Sequence, residues 1–168
     1  RELMSGREAA FDFGHARLRE AAYESTGLAR RRLLHRRVAE GLRADPAGRD
    51  DPGRLALIAG HEQAAGRDGA AAEAYREAGL GSRRVYANRE ALEQLETALA
   101  LGHPDVVGLQ VAIGEIRMAQ GDYAGAITSL EAAAGVGDEA ALPEVELRLG
   151  QVHARRGDVA AAASHLDA

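Results

Sequence analysis

Three short patterns combine residue types that could do chemistry. His61-Glu62 opens like H-E-x-x-H, in which two histidines one helical turn apart hold zinc and the glutamate acts as general base. Position 65 is alanine, so the second ligand is missing and His61 reads as a packed histidine. Gly79-Leu80-Gly81 has two glycines of a dinucleotide loop, but neither the third nor a strand before it. Arg30-Arg31-Arg32, with Arg36, Arg37 and Arg43, could meet phosphates and release counterions. These arginines spread around a helix, which favours a solvated face or contact with another domain over nucleic acid. There is no G-x-S-x-G, and the acids fall at helix-surface spacings rather than as catalytic pairs. The expected role is therefore non-enzymatic, with no catalytic, metal or cofactor residue in this chain.

Composition narrows the chemistry further. The 168 residues include no cysteine, which excludes disulfides and thiolate metal sites. All 21 basic residues are arginine, so no G-x-x-x-x-G-K-[ST] phosphate loop can exist. An apolar fraction of 46% against 28% charged supports an ordered domain. Large side chains are few: 19 leucines, two phenylalanines and four tyrosines, against 37 alanines and 20 glycines. Alanine favours helix, and the β-branched residues are sparse, so an all-α fold with closely packed helices is expected. No uncharged stretch approaches the roughly 18 residues of a membrane span, and Arg1-Glu2-Leu3-Met4-Ser5-Gly6 has no apolar signal core. A cytoplasmic location is expected.

Charge divides the chain. Residues 1–49 hold 11 arginines against 7 acids, net +4, and residues 50–168 hold 10 against 19, net -9. The boundary, from Asp45 to Gly53, contains Pro46, Gly48, Pro52 and Gly53, which forbid continuous helix. Before it, Ala9-Ala10-Phe11-Asp12-Phe13-Gly14 alternates like a short strand with no evident partner. A helix follows over 15–25, with Leu18, Ala21, Ala22 and Tyr23 inward. A second runs over 28–43, its stripe formed by Leu34, Val38 and Leu42 and flanked by Leu33 and Ala39.

After the boundary the sequence repeats itself. Ile113 to Ala126 aligns with Leu149 to Ala162 at a constant offset, and the register continues through Leu130 and Leu166. Gly114, Gly121, Ala126, Leu130 and Ala133 mark one unit; Gly150, Gly157, Ala162 and Leu166 mark the next. This spacing resembles the tetratricopeptide repeat, a helix-turn-helix unit. Mid-helix Gly114 and Gly150 want a packing reason, since glycine there costs about 1 kcal/mol relative to alanine. Close approach of Ala126 and Ala162 supplies one. Gly121-Asp122 and Gly157-Asp158 would cap the paired helices, and a longer loop is expected around Gly135-Val136-Gly137-Asp138.

Ile58-Ala59, Gly66, Ala71, Tyr75 and Ala78 give a third match, followed by Ala91, Leu95 and Ala98. The last two sets lie too close for two full hairpins, so a helix is abbreviated or fused across Gly79 and Gly81. Helices are expected near 54–65, 69–86, 89–101, 105–120, 123–134, 142–156 and 159–167. The implied architecture is an all-α, TPR-like helix-turn-helix solenoid, a right-handed superhelix, preceded by a short N-terminal strand and two linker helices. Its divisions are a linker segment over 1–49 and repeats over about 53–80, 80–102, 104–136 and 141–168.

Stacked hairpins make a concave surface lined by their first helices. The repeat frame points Gln63, Glu115, Met118, Gln151 and Arg155 toward it. The lysine and asparagine pattern with which some such repeats clamp a terminal carboxylate is missing. A peptide, a protein domain or a small effector is the expected occupant.

The first residues add a second resemblance. Phe11-Asp12-Phe13-Gly14-His15 through Tyr23, then Ala29 to Glu40 with Arg30, Arg31, Arg32 and His35, then Ala56 to Gly66 with His61, are similar to one junction. It is the one after the ATPase core of large bacterial ATP-binding transcriptional regulators of the LuxR type. There a winged-helix strand leads through a Tyr-containing and an Arg-rich helix into a repeat arm. The resemblance implies a sensor arm coupled to an ATPase domain, with ATP bound in the parent protein outside this chain. A general TPR adaptor unrelated to transcription is the alternative.

Overall fold

A computed structural model describes residues 2–5, 8–11 and 16–166. The expected N-terminal strand is one arm of a hairpin. β1 (Glu2–Ser5) pairs antiparallel with β2 (Glu8–Phe11), Ser5 opposite Glu8 and Glu2 opposite Phe11. A four-residue arm shows too little alternation to be read alone, and Gly6 between the arms was the available signal. Phe13, Gly14 and His15 lie outside the described residues.

Nine helices follow among the described residues: α1 (Ala16–Ser25), α2 (Leu28–Ala44), α3 (Pro52–Ala64), α4 (Asp68–Arg84), α5 (Asn88–Ala100), α6 (Val106–Ala119), α7 (Tyr123–Val136), α8 (Leu142–Arg156) and α9 (Val159–Leu166). From α2 onward each packs on the next. Aspartates start several of them. Asp51 accepts from the Arg54 amide at 3.0 Å, with Pro52 in the first turn of α3; Asp105 and Asp122 accept from the Gly108 and Gly125 amides, each at 2.9 Å. Asp158 accepts from the Ala161 amide at 3.2 Å, as the Gly-Asp spacing predicts. The loop expected around residues 135–138 starts later, because α7 runs through Val136 and ends on Gly137.

The linker helices depart from the expected faces. Leu33, Leu34 and Val38 are 48%, 47% and 44% exposed, and Tyr23 is also half exposed. The inward face of α2 is one position round, with Ala39 fully buried and His35 and Leu42 partly so. Ala39 joins Ile58, Ala59 and Ala74 in one buried cluster, against which Leu42 and Tyr75 pack. An apolar stripe shows that a face exists; α3 approaches from a side that spacing alone does not reveal.

Small residues set the distance between helices. A Cβ on Gly114 would lie 2.9 Å from Leu130 Cγ and 3.3 Å from the Ala126 carbonyl oxygen. On Gly150 it would meet Leu166 Cγ at 2.9 Å and the Ala162 carbonyl at 3.4 Å. Gly79 belongs to the same series, its Cβ position 2.6 Å from Leu95 Cγ and 3.2 Å from the Ala91 carbonyl. Each glycine is a slot for the leucine of the following helix, and Leu95 and Leu130 are thereby buried. A buried leucine contributes roughly 1.5–3 kcal/mol, so the tight slot offsets glycine's low helix propensity.

The short spacing between the first two units is resolved by fusion. α4 is one continuous helix through Gly79 and Gly81 that packs on both α3 and α5. Its first half closes one hairpin and its second half opens the next.

Candidate functional site

The first helices of the hairpins present a shared surface. A groove of about 320 Å³ is lined by Leu80 and Arg83 of α4, by Val107, Val111 and Glu115 of α6, and by Glu144, Val145 and Arg148 from α8. Apolar side chains make its floor and charged ones its rim. Glu115 stands at the centre. Arg83 Nη1 donates to Glu115 Oε2 at 2.6 Å, and Arg148 Nε lies 2.9 Å from Oε1, so one carboxylate ties α4, α6 and α8. Arg148 also approaches Glu144 at 3.4 Å. The groove therefore offers apolar contact area with guanidinium groups held in place by a carboxylate.

The five residues assigned to the concave face are placed differently from one another. Glu115 lines the groove. Gln151 is one turn along α8 and accepts from Arg148 Nη1 at 3.5 Å. Met118 is partly buried against the α7–α8 core cluster. Arg155 is exposed and makes no ion pair among the described residues. Gln63 sits on α3, away from the groove, where it accepts from the Tyr75 hydroxyl at 3.3 Å. Arg83 and Arg148 were missed by sequence reasoning, although their spacing to Glu115, close to one repeat on either side, was a usable signal.

His61 and Glu62 serve packing. His61 Nδ1 lies 2.8 Å from His35 Nδ1, and His35 Nε2 is 3.1 Å from the Tyr23 hydroxyl. One proton bridges the two rings, in either direction. Burial, then the neighbouring His35, pushes the His61 imidazole below its ordinary value of 6.5. Glu62 is buried, with Arg67 at 3.4 Å and Arg43 at 3.8 Å. No group of three or more potential ligands that could hold a metal ion occurs among the described residues.

Further along, His103 ties α4 to the α5–α6 turn. The Asp105 amide donates to His103 Nδ1 at 3.1 Å, which leaves Nε2–H to donate to Glu73 at 2.8 Å. That hydrogen bond, with Arg76 adding, outweighs burial and holds the Glu73 carboxyl below its ordinary value of 4.5.

The comparisons agree with this architecture. The tetratricopeptide repeat family matches residues 88–141 and 111–168. The crystal structure of MamA superposes with a TM-score of 0.53 at 17% identity, over 94% of this chain and 92% of that one. BtubC (BKLC) from P. vanneervenii gives 0.51 at 17% identity, over 90% of this chain and 73% of that one. No curated protein matches by sequence. No helix among the described residues is long and apolar enough to cross a membrane. Residues 88–168 thus carry tetratricopeptide repeats, and the chain has the TPR-like helical fold.

Proposed function

We propose that the chain is a non-catalytic interaction arm that binds a protein segment in the groove formed by α4, α6 and α8. The observation that carries this reading is the groove itself: an apolar floor of Leu80, Val107 and Val111 beneath the Arg83–Glu115–Arg148 network. The finer reading places this arm in an ATP-dependent transcriptional regulator, where partner or effector binding biases an ATPase switch outside these residues. It draws its support from the junction-like residues Phe11 to Tyr23 and Ala29 to Glu40 ahead of the repeats. Such coupling works only through differential affinity for two domain arrangements. A general TPR adaptor fits the groove equally well.

The flanking reading frame tests the choice. A phosphate-loop ATPase encoded before residue 1 and a helix-turn-helix domain after residue 168 are the expected result; a frame with neither overturns the regulator reading and leaves the adaptor. Independently, a bound protein partner should protect the Val107, Val111 and Val145 methyls in NMR, and a partner that leaves them unshifted overturns the groove assignment.

A further inference from the structure

A second cavity lies on the other side of Leu80. It is a cleft of about 450 Å³ between the end of α2, the loop 45–51, α3 and α4, a volume typical of small-molecule sites. Leu42, Leu55, Ile58 and Leu80 give it apolar walls. Five arginines line it against three acids, in a chain whose overall charge is -5.

These arginines differ in how far they are neutralised. Arg54 is committed to structure, donating to the Ala47, Leu42 and Asp45 carbonyls and pairing with the Asp45 carboxylate at 3.2 Å. Arg76 pairs with Glu73 at 3.1 Å and Asp105 at 3.7 Å. Among the described residues Arg43 has only distant ion-pair partners, Glu62 and Glu77, both at 3.8 Å. Arg49 and Arg84 are exposed and make no ion pair among the described residues, Arg84 donating only to the Leu80 carbonyl of its own helix at 3.4 Å. Asp50 is the remaining acid on the lining and is likewise without an ion pair there. Surplus guanidinium donors therefore line a mainly charged cleft beside its four apolar side chains, and their planar forks suit carboxylate, sulfonate or phosphate oxygens.

We propose that this cleft binds a small organic anion, an acidic head group carried on an apolar body, with Arg49 and Arg84 taking the head group and Leu55, Ile58 and Leu80 the body. Nothing in this proposal depends on what occupies the groove.

The test uses the whole chain and two fluorescent probes of nearly the same shape, anionic 8-anilinonaphthalene-1-sulfonate and neutral N-phenyl-1-naphthylamine. The sulfonate should bind one per chain and more tightly than the neutral probe. The double variant Arg49→Gln, Arg84→Gln should weaken it about tenfold while leaving the neutral probe unchanged. Leu34→Gln, on the exposed stripe of α2, should alter neither. Displacement by phenyl phosphate or by benzoate identifies the head group as phosphate ester or carboxylate; displacement by neither overturns the proposal. Equal binding of both probes, or sulfonate binding that survives the arginine changes but is lost with Leu34→Gln, also overturns it.

Discussion

Tyr86 and Gly121 hold the same place in successive repeats, seven residues beyond the slot glycines Gly79 and Gly114, and both have left-handed backbones, with φ of 60° and 82°. Gly66 and Gly157 fill that place in the other two hairpins, so Tyr86 is the exception. A left-handed conformation costs a non-glycine residue roughly 1–2 kcal/mol, and the Tyr86 side chain, 87% exposed, recovers little by packing. After allowing for glycine's greater unfolded freedom, Tyr86→Gly should stabilise the chain by about 0.5–1 kcal/mol. A higher urea midpoint at unchanged slope is the expected result; a lower one would show that the tyrosine makes a stabilising contact.

The glycine slots make a sharper prediction. Gly114→Ala puts a methyl where Leu130 Cγ and a carbonyl oxygen already lie, whereas at Gly135, also helical, nothing is within 4 Å. The first change should destabilise by about 1–3 kcal/mol, and the second should stabilise by up to about 1 kcal/mol. Gly150→Leu should be worse still, and Arg156→Ala, on the exposed end of α8, close to neutral. Equal melting temperatures for Gly114→Ala and Gly135→Ala would refute the slot.

Acid should loosen the α2–α3 contact before the rest. The His61 imidazole is held below 6.5, so the unfolded chain binds its proton more readily. Its stability contribution is fully present above that value and is lost as pH falls through the lower, folded one. A second loss follows at lower pH, since Glu73 is held below 4.5. The melting temperature should start to fall as pH drops below about 6.5, and His61→Gln should flatten that step alone. An unchanged step would assign it to other groups.

The Arg83–Glu115–Arg148 link should show as coupling rather than as bulk stability. Side-chain exposures of 24% for Glu115 and 29% for Arg148 leave the pair partly screened. A double-mutant cycle of Glu115→Gln with Arg148→Met should give about 0.5–1 kcal/mol. The coupling should shrink in about 1 M salt, where screening acts over roughly 3 Å. Zero coupling at low salt would make the pair incidental.

Much of the scaffold was legible because repeat packing imposes a local spacing. Alanines and glycines at fixed offsets from Leu95, Leu130 and Leu166 predict the hairpins within a few residues, since each small residue exists to admit a particular large one. The face of α2 was legible in part, since Ala39 and Leu42 of the expected face pack inward. Leu34 and Val38 of the stripe, with Leu33 beside it, are exposed, because α3 packs one position round, against Ala39 and Leu42. The groove was legible only through Glu115. Its arginine partners belong to helices before and after it, and the cleft of Arg49 and Arg84 joins a loop to a helix by a chain reversal that no spacing encodes.

The fused helix α4 decides where the array can bend. Ordinary neighbouring hairpins meet across a loop that can serve as a hinge, but no loop separates the first two here, so residues 52–100 turn as one lever. The later units are joined by the connections at 101–105 and 137–141. The first of these is pinned to the lever by His103 and Glu73, and the Gly137–Ala141 connection is bridged by Arg148 and Glu115. A partner spanning the groove would clamp α8 across that connection and turn a jointed rod into a stiff one.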